Sequence, residues 1–334
     1  MQIGVIGGGS WGTALAKLLA ELDHDVALWV REPELTTAIN DTHVNPEYLP
    51  GFTLPARVRA TCDLAVAVRG AEVLVAVTPS HVLRAVMERA RPHVTGTPYL
   101  VTATKGIEDG TLSRMSEVLL DVFGPDFRAR IAALSGPSFA REVAAGMPTA
   151  VTTAAHDPAT ATAVQTIFRA PTFRVYTVAD LVGVELGGAV KNLIAIAAGV
   201  SDGLGLGHSS RAALITRGVA EIARLVAKVG GNPQTVSGLS GVGDLVLTCT
   251  GDLSRNRSVG LRLGKGEKLA DILGSMTMIA EGVHNSLTVC ALAARAGVEI
   301  PIAEQVRLML HADKPASEAL IDLLRRSAKP EFWG

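Results

Sequence analysis

The chain has 334 residues, of which 48% are hydrophobic and only 4% aromatic, and its 31 basic and 32 acidic side chains give a formal net charge of −1. This length exceeds the size at which one hydrophobic core usually keeps growing, so we expect two domains. The balanced charge gives no reason to expect a nucleic-acid or membrane-surface partner, so a small molecule is the expected partner.

The first predicted element is a short apolar strand, Gln2 to Ile6, which runs into three spaced glycines and then into a helix predicted over Thr13 to Leu22. In a dinucleotide-binding turn, Gly7 allows the tight turn, Gly9 lets backbone amides approach a pyrophosphate, and Gly12 lets the helix pack closely on the strand. The glycine spacing alone is a weak signal. A second predicted strand at βαβ distance strengthens it.

That second strand, Asp25 to Val30, ends at the position where dinucleotide-binding proteins read the adenosine ribose. An acid there favours NADH, whereas a cation suits the 2′-phosphate of NADPH. Arg31 comes first and Glu32 follows, so NADPH is favoured and NADH stays open. The alternative is that Arg31 is an ordinary solvated side chain at a strand end.

Alternation of strand and helix continues and predicts a doubly wound sheet. The later strands are predicted at Glu72 to Val77, Tyr99 to Ala103, Ile131 to Leu134, Thr149 to Thr153 and Phe173 to Thr177. Ser80 is expected to cap the helix after the first of these. Because ligands bind beyond the carboxyl ends of such strands, Lys105 and the Gly136 to Ser138 loop should face the cofactor crevice. A plain surface turn is the alternative for Lys105.

From about Leu181 the hydrophobic period becomes helical, with helix breakers at 203–207, 230–233 and 264–266. The fold class predicted is therefore α/β, with a Rossmann-like N-terminal domain over 1–180 and an all-α domain over 181–334. The longest apolar stretch contains Glu185, Lys191 and Asn192, whose transfer into lipid has a high free-energy cost. It is predicted to be a buried helix and not a membrane span.

Lys191 lies in the middle of this apolar helix, among small residues that allow close packing. Burial and a second cation both lower an amine pKa from about 10.4 towards neutrality. Such a lysine can exchange a proton with a substrate hydroxyl. A lysine that snorkels from the helix edge is the alternative. Glu185 and Asn192, seven residues apart, share a helix face and can orient a ligand or each other.

The second polar cluster contains Asp244 and, ten residues later, the run Ser254-Arg255-Asn256 at a predicted helix start. Its hydroxyl, guanidinium, amide and free backbone donors suit a phosphate or a carboxylate. A helix start that is merely capped by Ser254 is the alternative. Cys249 is expected to be inert, because small buried cysteines usually are.

The three cysteines are widely separated, and no basic-then-apolar leader precedes the first strand, so we expect a reduced, cytoplasmic protein. The histidines show no metal-ligand spacing, and no metal is predicted. A homodimer is expected, because a large apolar helical domain often has one apolar face that the rest of the chain does not cover.

Motifs spread in order over nearly the whole chain resemble those of the bacterial-type NAD(P)-dependent glycerol-3-phosphate dehydrogenases. The matching segments are 7–16 (GGGSWGTALA), 135–140 (SGPSFA), 187–192 (GGAVKN), 201–205 (SDGLG), 243–245 (GDL), 254–256 (SRN) and 281–283 (EGV). Their combination is far more specific than the opening turn alone.

The resemblance implies reversible hydride transfer between the nicotinamide and carbon 2 of dihydroxyacetone phosphate, which gives sn-glycerol 3-phosphate for phospholipid synthesis. It implies that Lys191 accepts the proton of the 2-hydroxyl, or donates it in reduction. Lys105 would touch both ligands, polarise the carbonyl and depress the Lys191 pKa. Asp244 would hold the lysine or the substrate hydroxyls.

Together with the glycines of the opening turn, the residues that the resemblance implies for the site fall into two expected sets. The substrate set is Lys105, Gly136, Ser138, Lys191, Asn192 and Asp244, with Ser254, Arg255 and Asn256 at the phosphate end. The cofactor set is Gly7, Gly9, Ser10, Trp11, Gly12, Arg31, Lys105, Ala140, Arg255 and Glu281.

Two places depart from the expected motifs, and they bear on local loop shape and cofactor preference. Residues 208–210 (HSS) stand where the family usually has an Asp-Asn pair, and residues 284–285 (HN) replace a basic or small pair. The nearest alternative function is that of a ketopantoate or 3-hydroxy acid dehydrogenase, because Arg255 and Asn256 can also clamp a carboxylate. A nucleotide-binding regulator without turnover is the alternative from another class.

Overall fold

A computed structural model describes residues 1–276, 278 and 280–331, which form an α/β region followed by a helical region. The strands are β1 Gln2–Ile6, β2 Asp25–Trp29, β3 Val44–Asn45, β4 Leu49–Thr53, β5 Val58–Thr61, β6 Val73–Ala76, β7 Tyr99–Thr102, β8 Ile131–Ser135, β9 Thr149–Ala155 and β10 Phe173–Val178. The helices of the α/β region are α1 Ser10–Glu21, α2 Pro33–Thr42, α3 Leu64–Val68, α4 Leu83–Ala90, α5 Met115–Phe123, α6 Ala140–Ala144 and α7 Pro158–Phe168.

The helical region follows directly. Its helices are α8 Leu181–Gly203, α9 Gly207–Lys228, α10 Asp244–Thr250, α11 Arg255–Gly264, α12 Leu269–Gly274, α13 Glu281–Ala296, α14 Pro301–His311 and α15 Ala316–Leu324. Short turns of tighter or wider helix occupy Ser80–Val82, Arg91–His93, Pro125–Arg130, Pro233–Ser237 and Leu239–Gly243. The predicted fold class, a Rossmann-like sheet followed by helices, is confirmed.

Eight strands form one sheet in the order β10-β9-β8-β7-β6-β1-β2-β5. All neighbouring pairs are parallel except β8 with β9, so the carboxyl ends of β1, β6, β7 and β8 meet at one edge. In an open sheet of this type, that edge is where ligands bind. The hairpin of β3 and β4 and the edge strand β5 were not predicted, because they are short and carry little alternation.

The antiparallel strand β9 has a simple topological cause. The connection from β8 stays at the carboxyl end of that strand and contains only the five-residue helix α6. A helix of about one and a half turns does not span the length of the sheet, whereas a parallel pair requires a full crossover. Thr152 of β9 therefore pairs with Ser135, at the site edge.

The turn between β1 and α1 requires its glycines for reasons of space. Gly7 has φ +128°, and a Cβ there would lie 2.8 Å from the Val77 carbonyl oxygen. A Cβ on Gly12 would lie 1.8 Å from the carbonyl oxygen of Gly7, so the helix can begin against the strand only with glycine. Helix α1 starts at Ser10, three residues earlier than predicted.

Helix α8 is the central helix of the second region. It is long and apolar enough to cross a bilayer, but 94% of its most apolar window is buried inside the protein, which confirms the prediction of a buried helix. Helix α11 crosses it at very close range. A Cβ on Gly199 would lie 2.1 Å from the Arg257 carbonyl oxygen, and one on Gly260 would lie 2.0 Å from that of Ile196. These glycines bring the start of α11 near the polar residues of α8.

A cavity of about 650 Å³ lies between α8, α9, α14 and α15 and is lined mostly by apolar side chains such as Leu214, Val306 and Leu323. None of the predicted site residues lines it. The chemistry therefore has to be sought at the sheet edge, where polar side chains of both regions converge.

Candidate active site

Two lysines and one aspartate meet where the carboxyl edge of the sheet faces α8 and α10. Asp244 Oδ1 accepts a hydrogen bond from Lys191 Nζ at 2.7 Å, and its Oδ2 accepts one from Lys105 Nζ at 2.5 Å. The side chains are 2% exposed for Asp244, 8% for Lys191 and 19% for Lys105. Lys105 is thus the member that a substrate in the crevice reaches most easily.

Thr248 completes this cluster, and the sequence analysis did not identify it as a site residue. Its Oγ1 lies 2.6 Å from Lys191 Nζ and also donates to the Asp244 backbone carbonyl oxygen at 2.6 Å. The available signal was its spacing of four residues from Asp244, which puts both on one helix face. Lys191 Nζ is therefore fixed by a carboxylate and a hydroxyl together.

The electrostatics of the cluster favour proton exchange near neutral pH. Burial lowers the pKa of Lys191 to about 8, with the charge of Asp244 opposing this change and that of Lys105 adding to it. Burial alone would raise the pKa of Asp244, but the two ammonium groups reverse this and hold it below its ordinary value. The carboxyl group thus stays ionised while Lys191 can gain and lose its proton.

The loop after β8 lies beside the lysines, as predicted. Lys105 Nζ donates to the Gly136 carbonyl oxygen at 3.2 Å, and Ser138 Oγ donates to the same oxygen at 3.0 Å. Gly136 has φ +144°, and a Cβ there would lie 2.9 Å from Val151 Cα. Only glycine therefore lets this loop bend towards Lys105.

At the start of α11, Ser254 and Asn256 make hydrogen bonds that stabilise the fold. Ser254 Oγ accepts a hydrogen bond from the Arg257 backbone N–H at 3.2 Å, which is the capping role given as the alternative. Asn256 Nδ2 donates to Asn192 Oδ1 at 2.9 Å, and its Oδ1 accepts from the Gly282 backbone N–H at 2.9 Å. Asn192 and Asn256 thus join α8, α11 and α13, while Arg255 is exposed at the first position of α11.

Glu185 and Asn192 do not orient each other, although they share a face of α8. Glu185 Oε1 accepts from the Ser116 backbone N–H at 2.7 Å, and its Oε2 accepts from Ser116 Oγ at 2.6 Å and Arg114 Nη1 at 3.2 Å. Burial raises the pKa of this carboxyl group, and the Arg114 charge and the Ser116 bonds oppose the rise. Glu185 ties α8 to the start of α5, remote from Lys191 Nζ.

The start of α1 carries the features that a dinucleotide needs. A Cβ on Gly9 would meet no atom of the described residues within 4 Å, so open space lies beside the turn. The N-cap of α1 makes no side-chain hydrogen bond, and the first turn contains no acid. The buried Trp11 Nε1 and Thr78 Oγ1 have no hydrogen-bond partner in the described part of the chain. These residues fit a bound nicotinamide dinucleotide, because the helix N-terminus attracts its phosphates and donors are left for its polar groups.

Other predicted cofactor residues lie around this turn. Ser10 Oγ donates to the Tyr48 carbonyl oxygen at 2.6 Å, and Ala140 begins α6 and packs in the same apolar cluster as Trp11. The Arg31 side chain is 81% exposed, and its Nε and Nη2 donate to Glu32 Oε1 at 2.9 and 2.6 Å. An anion that binds Arg31 must therefore compete with Glu32.

The prediction that Ser80 caps a helix is wrong. The short turn that contains Ser80 has Pro79 at its N-cap, and α4 begins only at Leu83. Ser80 Oγ instead lies 3.3 Å from both Glu281 Oε2 and Asn285 Oδ1, on the first turns of α13. Burial raises the pKa of Glu281, and hydrogen bonds from Ser80 and the charge of Arg255 oppose the rise.

The two departures from the expected motifs lie at different distances from this site. The His284 ring stacks obliquely on that of His81, with centroids 5.1 Å apart, directly beside the Ser80 contact. His208 Nδ1 lies 2.8 Å from Arg211 Nη2 at the start of α9. Cys249 is buried next to the lysine cluster, and burial raises its thiol pKa to about 12, which keeps it in the unreactive thiol form.

Comparison with known proteins gives the same picture over the whole chain. Residues 2–161 match the family profile of the NAD-dependent glycerol-3-phosphate dehydrogenase N-terminus, and residues 180–321 match that of its C-terminus. The chain belongs to the NAD-dependent glycerol-3-phosphate dehydrogenase family. It is therefore an oxidoreductase that uses NADH or NADPH, and the alternatives of a carboxylate-specific dehydrogenase or a regulator without turnover are set aside.

Individual relatives support this assignment along their full lengths. A glycerol-3-phosphate dehydrogenase [NAD(P)+] of Geobacter sulfurreducens is 54% identical over 332 residues, 99% of each chain. That of Myxococcus xanthus is 52% identical over 334 residues, 100% of each chain. The crystal structure of the Coxiella burnetii glycerol-3-phosphate dehydrogenase superposes with a TM-score of 0.93 at 40% identity and covers 97% of this chain and 99% of its own.

Proposed function

We propose that the chain reduces dihydroxyacetone phosphate to sn-glycerol 3-phosphate, reversibly, with Lys191 as the general acid and base. The observation that carries this proposal is the buried Lys191–Asp244–Lys105 cluster, in which a lysine with a pKa of about 8 is fixed at the sheet edge. A carbonyl reduction needs one proton donor and one positive charge beside the oxygen, and the two lysines supply both.

Each residue of the cluster has a separate role in the proposed reaction. When bound, the nicotinamide supplies or accepts the hydride. Lys191 donates its proton to the oxygen on carbon 2, while the ammonium group of Lys105 stabilises the negative charge that develops there. Asp244 and Thr248 hold Lys191 Nζ in one place, so little reorganisation is needed during the reaction. Burial of the cluster excludes water from the proton transfer.

The substrate contacts are part of the same proposal. Arg255 and the N-terminus of α11 bind the phosphate, with Ser254 and Asn256 shaping that helix start. Gly136, Ser138 and Asn192 line the remaining wall beside the lysines. The phosphate is then recognised by a guanidinium and backbone N–H groups, a pairing suited to its charge and geometry.

The cofactor contacts we propose are Gly7, Gly9, Ser10, Trp11 and Gly12 at the turn, and Arg31, Lys105, Ala140, Arg255 and Glu281 around it. The phosphates lie at the start of α1, and NADPH is favoured because Arg31 can bind the 2′-phosphate. The proposal also includes a division into domains 1–180 and 181–334, a cytoplasmic location and a supply of glycerol phosphate for phospholipid synthesis. A homodimer is included, supported by the 75% exposure of Leu324 and the 42% exposure of Ile321 on α15.

The proposal predicts turnover that depends on the substrate phosphate. The loss of nicotinamide absorbance is measured with dihydroxyacetone phosphate, dihydroxyacetone and ketopantoate, each with NADPH and with NADH. We expect turnover with the phosphorylated ketone alone. Turnover confined to ketopantoate would mean that the anion site around Arg255 is misassigned.

Glu32 is predicted to limit the preference for NADPH. It neutralises and holds the Arg31 guanidinium, so Glu32→Gln should free Arg31 for the 2′-phosphate and remove a repelling charge. We expect kcat/KM with NADPH to rise about three- to tenfold relative to that with NADH, which corresponds to about 1 kcal/mol for an exposed charge pair. Glu34→Gln, two residues further along in the first turn of α2, is the control. An unchanged ratio would show that Glu32 has no part in cofactor choice.

A further inference from the structure

Three chain segments meet in a buried joint beside the lysine cluster. They are the Ser80 turn after β6, the Lys105 loop after β7, and the first turns of α13. Asn285 lies at the centre of the joint and its side chain is fully buried. Its Nδ2 donates to the Lys105 backbone carbonyl oxygen at 3.1 Å, and its Oδ1 lies 3.3 Å from Ser80 Oγ.

The side chains and backbone of the joint are closely packed around Gly106. A Cβ on Gly106 would lie 2.4 Å from Ser80 Cβ and 2.9 Å from Asn285 Oδ1. The backbone that carries Lys105 is therefore pressed against the Asn285 amide and bonded to it. Few other groups can serve both neighbours, because an amide presents a donor to the carbonyl and an acceptor to the hydroxyl at once.

The position of the joint couples two regions of the molecule. Lys105 and Ser80 belong to the sheet edge, whereas Asn285 belongs to the helical region, as do Asp244 and Lys191. Lys105 is thus held at two points by the helical region, at its backbone by Asn285 and at its Nζ by Asp244. Its long side chain alone has several rotatable bonds, so the ammonium position depends on where the backbone is fixed.

We propose that Asn285 is a positioning residue for the reaction, which fixes the Lys105 backbone so that Lys105 Nζ meets Asp244 and the substrate carbonyl together. This inference rests on the role proposed for Lys105. It assigns a function to a residue that the motif comparison marked only as a departure. A displacement of about 1 Å at a catalytic group is enough to reduce turnover by about a hundredfold.

Asn285→Asp is the sharpest test, because it keeps the size and the acceptor of the side chain but removes the donor to the Lys105 carbonyl. We expect kcat for dihydroxyacetone phosphate to fall about 10- to 100-fold. The new carboxyl group can donate to that carbonyl only when it is protonated, so the loss relative to wild type should shrink as pH falls. Asn285→Ser cannot reach the carbonyl, and its loss should stay constant with pH.

A double-mutant cycle separates positioning from general damage. In a Lys105→Met background, Asn285→Asp should change the residual turnover less than twofold, because the group it positions is gone. Ser286→Ala is the matched control. Ser286 is equally buried on the next position of α13, but its Oγ bonds to the Val283 carbonyl oxygen at 2.7 Å and to His311 Nε2 at 2.8 Å instead of to the Lys105 loop. Its kcat should stay within twofold of wild type.

The possible failures are distinguishable. Normal turnover in Lys105→Met would contradict the proposed function itself. Two outcomes would overturn this inference alone. In the first, Lys105→Met has reduced turnover but Asn285→Asp has normal turnover. In the second, Asn285→Asp reduces turnover in the Lys105→Met background by the same factor as in wild type. If neither Asn285 variant shows a cooperative thermal transition, the residue acts through stability and the inference is likewise overturned.

Discussion

Lys191→Met should abolish turnover while NADPH still binds. The variant keeps the length and the buried methylene groups of the side chain but removes the amine that we propose exchanges a proton with the substrate oxygen. Loss of a general acid costs about 10²- to 10⁴-fold, and we expect the upper part of this range because Lys191 is 8% exposed and water cannot replace it easily. Turnover is measured under saturating substrate, and NADPH affinity by fluorescence.

The pattern of the kinetic constants identifies the role. A fall in kcat and kcat/KM together means a loss of transition-state stabilisation, whereas a rise in KM alone would mean that Lys191 only binds the ground state. Lys228→Met, which changes an exposed lysine at the end of α9, is the control and should leave kcat unchanged. Loss of NADPH binding in Lys191→Met would argue against a purely catalytic lysine.

The fold class and most strands could be predicted from the sequence, because they depend on local patterns. Glycines 7, 9 and 12 after an apolar strand, and six further strands, follow from periodicity and turn chemistry. The structure shifts the ends of these strands by at most two residues. The antiparallel direction of β9 could not be predicted, because it depends on how far a connection travels in space and not on the strand's own residues.

The candidate site was predicted less completely. Lys105, Lys191 and Asp244 were singled out one by one, but their mutual contacts of 2.5 and 2.7 Å join positions up to 139 residues apart, which no spacing rule reveals. Thr248 was within reach of the i, i+4 rule. The partners of Ser80 and Asn285 were not, because each lies in a different region of the chain and their meeting depends on how α13 docks against the sheet edge.

Asp244→Asn should reduce turnover by about 10²- to 10³-fold and also move its pH dependence. The substitution removes the negative charge that lies between two ammonium groups and leaves them to repel each other. The Asp244 charge raises the pKa of Lys191, so its removal lowers that pKa from about 8. Asp252→Asn is the control. The Asp252 side chain is 98% exposed, lies three residues before the start of α11 and pairs only at the surface with Arg257, so its change should have little effect.

The sign of the pH effect follows from the direction of the reaction. Reduction needs protonated Lys191, so wild-type reduction should decline as the pH rises through about 8, and oxidation of glycerol 3-phosphate should increase over the same range. In Asp244→Asn both transitions should move to lower pH, because a larger fraction of Lys191 is neutral at each pH. A Lys191→Met background should erase the transition altogether. If Asp244→Asn lowers kcat but leaves the transition near pH 8, Asp244 binds substrate without controlling the proton on Lys191.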